Sequence, residues 1–124
     1  MVKGEIEMKL TTTRVDKSWG YELIFINGEK YCGKKLVFNK GRSASYHNHR
    51  IKDECFYIQS GKLSLKYSFD ADITKTDELL LEAGDVFHIP PGLYHQLYAY
   101  EDSEVMEFST TDRPEDSYRI VKGN

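Results

Sequence analysis

The stretch "HNHRIKDECFYIQSG", His47 to Gly61, places two of the chain's four histidines one residue apart. A glutamate, Glu54, follows, and then a glycine, Gly61. On a β-strand, residues i and i+2 point to the same face. His47 and His49 would therefore project together, with Asn48 facing away. "RIKD" gives the chain room to turn. A carboxylate at Glu54 could then approach from the next strand, with Phe56 and Ile58 on its face as apolar walls. Gly61 would close the segment in a tight turn at positive φ. Taken alone, a His-x-His pair is also an ordinary solvated strand motif.

Working outward, the chain reads as short β-prone runs broken by turn residues. The runs are "YELIFI" (21–26), "YCGKKLVF" (31–38), "SASYHNH" (43–49), "CFYIQ" (55–59), "KLSLKYSF" (62–69), "LLLEAGDVFHIP" (79–90), "YHQLYAYE" (94–101) and "VMEFST" (105–110). About eight strands at this spacing predict an all-β sandwich or barrel. No window of helical length carries a 3.6-residue apolar period. Asp70–Glu78 reads as a hairpin connection. "MVKGEIEMKL" could add an edge strand or pair with a second subunit, and "TDRPEDSYRIVKGN" is expected to lie over the surface. No linker or repeat divides residues 1–124, which are expected to form one domain.

The 124 residues carry a net charge of −3, with 30% charged and 13% aromatic. This size allows a core without disulfides. No basic block supports a nucleic-acid groove. No apolar run has the roughly 20 residues of a membrane helix, and the first residues contain no apolar signal core. A cytoplasmic location is the expectation, with Cys32 and Cys55 as reduced strand residues.

A second region, "GDVFHIPPGLYHQLYA" (84–99), turns at Pro90-Pro91-Gly92. His95 then opens a strand with Leu97 and Ala99 on its face. One imidazole from this hairpin would complete a set of three histidines and one carboxylate. The two stretches, 41–61 and 84–99, resemble both motifs of the cupin superfamily in their Gly, His, Glu and Pro spacings. The resemblance implies a cupin double-stranded β-helix, or jelly-roll barrel. It also implies His47, His49, Glu54 and His95 as metal ligands. The second motif ends on Ala99 where cupins usually have asparagine, which is not a ligand in the usual pattern.

Such a set suits one divalent transition metal (Zn, Mn, Fe, Co, Ni or Cu) better than Ca or Mg. Four protein ligands leave a position open for substrate. "KSWGYELIF" (17–25) and "YHNHRIKDE" (46–54) further resemble phosphomannose-isomerase-like cupins. That likeness implies aldose–ketose isomerisation or epimerisation of a sugar or sugar phosphate, with the metal as Lewis acid on an enediolate. The candidate catalytic residues are His88, Tyr94 and Glu22. His88 could face the cavity, but a surface imidazole is its more ordinary reading. Arg50 and Lys35 are the candidate phosphate cations, and Trp19 could stack on a sugar face or pack in the core. Two alternatives stand beside this reading: a three-His, one-Glu dioxygenase with an apolar cavity, and a non-catalytic sugar- or metabolite-binding cupin. A homodimer is expected, since small jelly rolls must cover their sheet edges.

Overall fold

In β3 (Cys32–Phe38) every second side chain is buried: Cys32, Lys34, Leu36 and Phe38. The same alternation governs β5 (Glu54–Ser60) and β10 (Ser103–Ser109), where Glu54, Phe56 and Ile58, and Val105 and Glu107, turn inward. One buried face per strand is what a two-layered antiparallel fold requires. The computed structural model, which describes residues 8–124, has that form.

Among the described residues, eleven strands form two antiparallel sheets. The first comprises β1 (Thr13–Lys17), β2 (Gly20–Asn27), β3, β10, β5 and β8 (Val86–Ile89), in that spatial order. The second runs β11 (Tyr118–Val121), β4 (Tyr46–Asn48), β9 (Tyr94–Ala99), β6 (Lys62–Ser68) and β7 (Asp77–Glu82). This two-layered antiparallel arrangement is the jelly-roll sandwich that the cupin resemblance implies. The core lies between the sheets, with Phe38, Phe56, Ile58 and Val105 on one side and Leu63, Leu65, Leu97 and Ala99 on the other. Each fully buried side chain of this size contributes about 1.5–3 kcal/mol.

Two turns deliver the site. At Gly61, φ is +91°, and a Cβ would collide with Ser103. Only glycine can therefore join β5 to β6 so closely. Gly92, at φ +89°, completes the Pro90–Leu93 turn. Its N–H donates to His49 O at 2.7 Å, and its carbonyl accepts from Asn48 Nδ2 at 3.1 Å. The two histidine-bearing regions are thus stitched together by their turn.

Three expectations need correction. The histidine run is a strand only over Tyr46–Asn48, because residues 43–45 leave the sheet apart from one bridge, Ser43 to Tyr98. The segment from Thr111 onward does not merely cover the surface: it supplies β11, which pairs with β4. β1, "TRVDK", was also missed, since it has a single apolar residue. The expectation of an edge strand or subunit contact from the first residues falls largely on 1–7, outside the described residues; Met8, Lys9 and Leu10 are exposed and not in a strand.

Candidate metal centre

His47 and His95 sit directly opposite each other on β4 and β9, their rings 4.4 Å apart. His49 follows the end of β4, its ring 4.9 Å from that of His47. One nitrogen from each of the three rings lies within 4.8 Å of the others. The cluster could bind a metal.

Backbone carbonyls decide which nitrogens are available. The Nδ1 of His47 lies 3.0 Å from Ser45 O, that of His49 3.0 Å from Asp116 O, and that of His95 3.0 Å from Leu93 O. A carbonyl only accepts, so each Nδ1 carries the proton and each Nε2 keeps its lone pair. Burial, then the neighbouring imidazoles, hold His47 well below the ordinary histidine range. Burial and the Lys52 ammonium lower His49. Burial pushes His95 down to about 3. All three rings are neutral at pH 7.

Glu54, on β5, brings its Oε2 to 3.4 Å from His49 Nε2 and 3.8 Å from His95 Nε2. That oxygen is fully buried and has no hydrogen-bond partner. Burial and the nearby Glu107 raise the Glu54 carboxyl well above the usual range. Three imidazole nitrogens thus cluster together, and the buried Glu54 oxygen lies beside two of them. A buried acceptor left this way is costly. A cation bound there would satisfy all four, so the residues present fit a metal ion.

The centre opens into a cavity of about 490 Å³ between the sheets. Phe56, Leu97, Trp19 and Phe38 form its apolar wall. Its polar wall is a chain of buried charges. Lys34 Nζ reaches Glu22 at 2.7 Å and Asp112 at 3.3 Å. Lys52 Nζ reaches Glu107 at 2.7 Å, Asp112 at 3.1 Å and Glu54 Oε1 at 4.0 Å. Burial disfavours both ammonium groups, but the carboxylates outweigh it and hold both lysines above their usual value. Burial likewise opposes the Glu107 charge, and Lys52 and Lys34 overcome it.

The other sequence candidates divide between the two faces of the barrel wall. Glu22 lines the cavity. Trp19 does too, stacked on Phe38 with ring centroids 4.3 Å apart. His88 points outward, exposed, with Nε2 2.7 Å from Asp53 Oδ1; it is a surface imidazole and not a cavity residue. Tyr94 also lies on the face opposite His95, stacked with Tyr46. Lys35 is on the outside of β3, paired with Glu104 at 3.1 Å. Arg50 is exposed over the Tyr118 ring, 3.8 Å from its centroid. None of these four lines the cavity. Inward-facing Lys34, Lys52, Glu107 and Asp112 were missed. Lys34 and Glu107 were findable: each falls in step with buried apolar residues two positions away, Leu36 and Val105.

The profile of the cupin domain family matches residues 35–111, a span that includes all three histidines and Glu54. The chain belongs to the cupin family. Solved structures share the fold. KdgF from a Halomonas species aligns with a TM-score of 0.66 at 21% identity, covering 77% of this cupin and 81% of KdgF. The capsular polysaccharide assembling protein CapF of Staphylococcus aureus gives 0.75 at 19%, covering 91% of this chain and 33% of CapF. Oxalate decarboxylase from Bacillus subtilis gives 0.73 at 17%, covering 88% and 30%. The cupin described here thus spans about a third of the length of the latter two chains. At these identities the likeness is one of fold. No curated protein sequence matches the chain significantly.

Proposed function

We propose that this cupin holds one divalent transition metal on His47, His49, His95 and Glu54, and acts on a sugar or sugar phosphate by aldose–ketose isomerisation or epimerisation. The observation that carries the metal is the cluster of three imidazoles, with the orphaned Glu54 oxygen 3.4 Å from His49 Nε2 and 3.8 Å from His95 Nε2. An ion bound there supplies Lewis acidity beside a carbonyl or hydroxyl. The neutral imidazoles suit Mn, Fe, Co, Ni, Cu or Zn.

The character of the cavity supports a polyhydroxylated substrate. A dioxygenase working on an apolar substrate would favour a dry, uncharged wall. Here the lining beside Phe56 carries the Lys34–Glu22 and Lys52–Glu107 pairs, which can exchange hydrogen bonds with hydroxyl groups. Glu22 is the candidate proton carrier, oriented by Lys34 on Oε1 and with Lys17 3.6 Å from Oε2. Trp19 offers the apolar face against which a sugar ring could lie. Among the fold neighbours, the name of CapF speaks of capsular polysaccharide assembly and that of oxalate decarboxylase of a small carboxylate. Both are compatible with a small polar ligand at this centre.

The test is proton exchange. Metal-loaded protein incubated with aldose and ketose phosphates in heavy water should place deuterium at C2. Glu22→Gln should slow that exchange by about 10²-fold or more. Substrate-dependent O₂ uptake without exchange would instead favour the dioxygenase. Tight sugar binding with neither reaction would favour the binding module. The reading also carries a homodimer, supported by Phe108 and Val86, which stand exposed on the outer face of the six-stranded sheet. Light scattering at micromolar concentration should then return twice the chain mass, and a monomer there would remove that part of the proposal.

A further inference from the structure

The charges lining the cavity do not cancel. Its carboxylates outside the metal centre are all engaged: Glu22 with Lys34, Glu107 with Lys52, Asp112 with both lysines, and Asp16 with Arg14. Lys17 on the lining also pairs with Glu22, and three further cations line the same space, Arg113, Arg119 and Lys122. None of them makes an ion pair among the described residues. All three come from one segment, and all are exposed at the rim. The chain as a whole is acidic, with a net charge of −3, so this concentration of unpaired positive charge runs against its average.

The backbone aims two of them. Arg119 on β11 is registered opposite His47 on β4, and so shares the face of a candidate metal ligand. In a regular strand, Lys122 would face the other way, since three residues separate it from Arg119. The register shifts between Arg119 and Val121, and Val121 pairs with Tyr46. That bulge at Ile120 adds one residue and returns Lys122 to the cavity side. Both side chains line the cavity.

We infer that Arg119 and Lys122 form an oxyanion grip at the cavity rim, for a phosphate or carboxylate on a substrate whose other end reaches the histidines. Arg113 adds a third positive charge beside it. The inference rests on the sugar reading above and narrows it to an anionic sugar. It also replaces Arg50 and Lys35 as the phosphate-binding cations. A guanidinium beside an ammonium suits this role: the first binds two oxyanion oxygens at once, and the second is a mobile point charge.

Calorimetric titration with glucose, glucose 6-phosphate and glucuronate tests it. In the wild-type protein, at least one of the two anions should bind ten-fold or more tightly than glucose. The stronger of the two identifies phosphate or carboxylate as the group gripped. The double variant Arg119→Gln, Lys122→Gln should lose that preference while keeping the wild-type melting temperature and metal content. Arg119→Lys should retain most of it, and so should Lys35→Gln on the outer face. The preference should also persist in His95→Ala, which separates failure of the grip from failure of the metal centre. No anion preference in the wild type would overturn the inference. So would a preference that survives the double variant, or one that disappears with His95→Ala alone.

Discussion

One proton per ring fixes the orientation of the three histidines. Each Nδ1–H is held by a carbonyl at 3.0 Å, so rotation of any ring would forfeit a buried hydrogen bond. Glu54 is the opposite case, a buried oxygen with nothing to accept from. Two outcomes follow for Glu54→Gln. In metal-free protein it should leave stability unchanged or slightly raised, because burial already disfavours the carboxylate. Its metal affinity should fall, but less than that of Glu54→Ala, since an amide oxygen can still coordinate. Urea unfolding and chelator competition measure the two effects; unchanged affinity in both variants would take Glu54 out of the ligand set. At this scale the sequence was readable for the histidine cluster and the glutamate beside it, because strand alternation and motif spacing agree at His47, His49, Glu54 and His95. It misled at Lys35. The one-residue choice between Lys34 and Lys35 reverses the face, and only the flanking pattern of Cys32, Leu36 and Phe38 identifies Lys34 as the inward one. His88 failed for the same reason, lying between the less exposed Phe87 and buried Ile89.

At the scale of elements, β11 and the short turn before it hold the histidine cluster from behind. The Asp116 carboxylate accepts the N–H groups of Arg50, Ile51 and Lys52 at 2.9–3.2 Å. Its own carbonyl accepts the His49 proton. Burial disfavours the Asp116 charge, yet the N–H groups of Lys52, Arg50 and Ile51 outweigh it and hold the carboxyl below its usual range. Asp116 is therefore a positioning residue. Asp116→Ala should free the 50–52 turn and weaken metal binding about 10- to 100-fold without removing a ligand. Asp116→Asn should restore part of the loss, and unchanged affinity in Asp116→Ala would contradict this role. None of this was visible in "TDRPEDSYRIVKGN". Its strand has two exposed residues in a row, Arg119 and Ile120, and owes its pairing to backbone hydrogen bonds and a bulge. The strands with clear alternation, β3, β5 and β10, were legible for the reason that they build the core.

For the molecule as a whole, a barrel that buries three neutral imidazoles trades acid stability for a preformed site. In the unfolded chain these histidines titrate near 6.5; in the native protein all three are lowered, His95 to about 3. The stability they contribute is complete above pH 6.5 and is lost as pH falls toward their native values. Glu54 opposes this above 4.5, because its native carboxyl is raised, but it is one group against three. Metal-free protein should therefore weaken on acidification below 6.5, by about 1.4 kcal/mol per pH unit for each net proton. Urea midpoints near neutral pH and at about pH 5 check the slope, and a flat profile would mean the rings are not buried neutral. Bound metal should raise the whole curve, since it competes for the same lone pairs.

The most direct measurement is elemental analysis per chain of purified wild-type protein, His47→Ala and His95→Ala, after each has been offered Mn, Fe, Co, Ni, Cu and Zn. The account predicts about one tightly held ion per wild-type chain and a sharp loss in both variants. A wild-type protein that holds none of the six metals, or variants that keep a full complement, would contradict it.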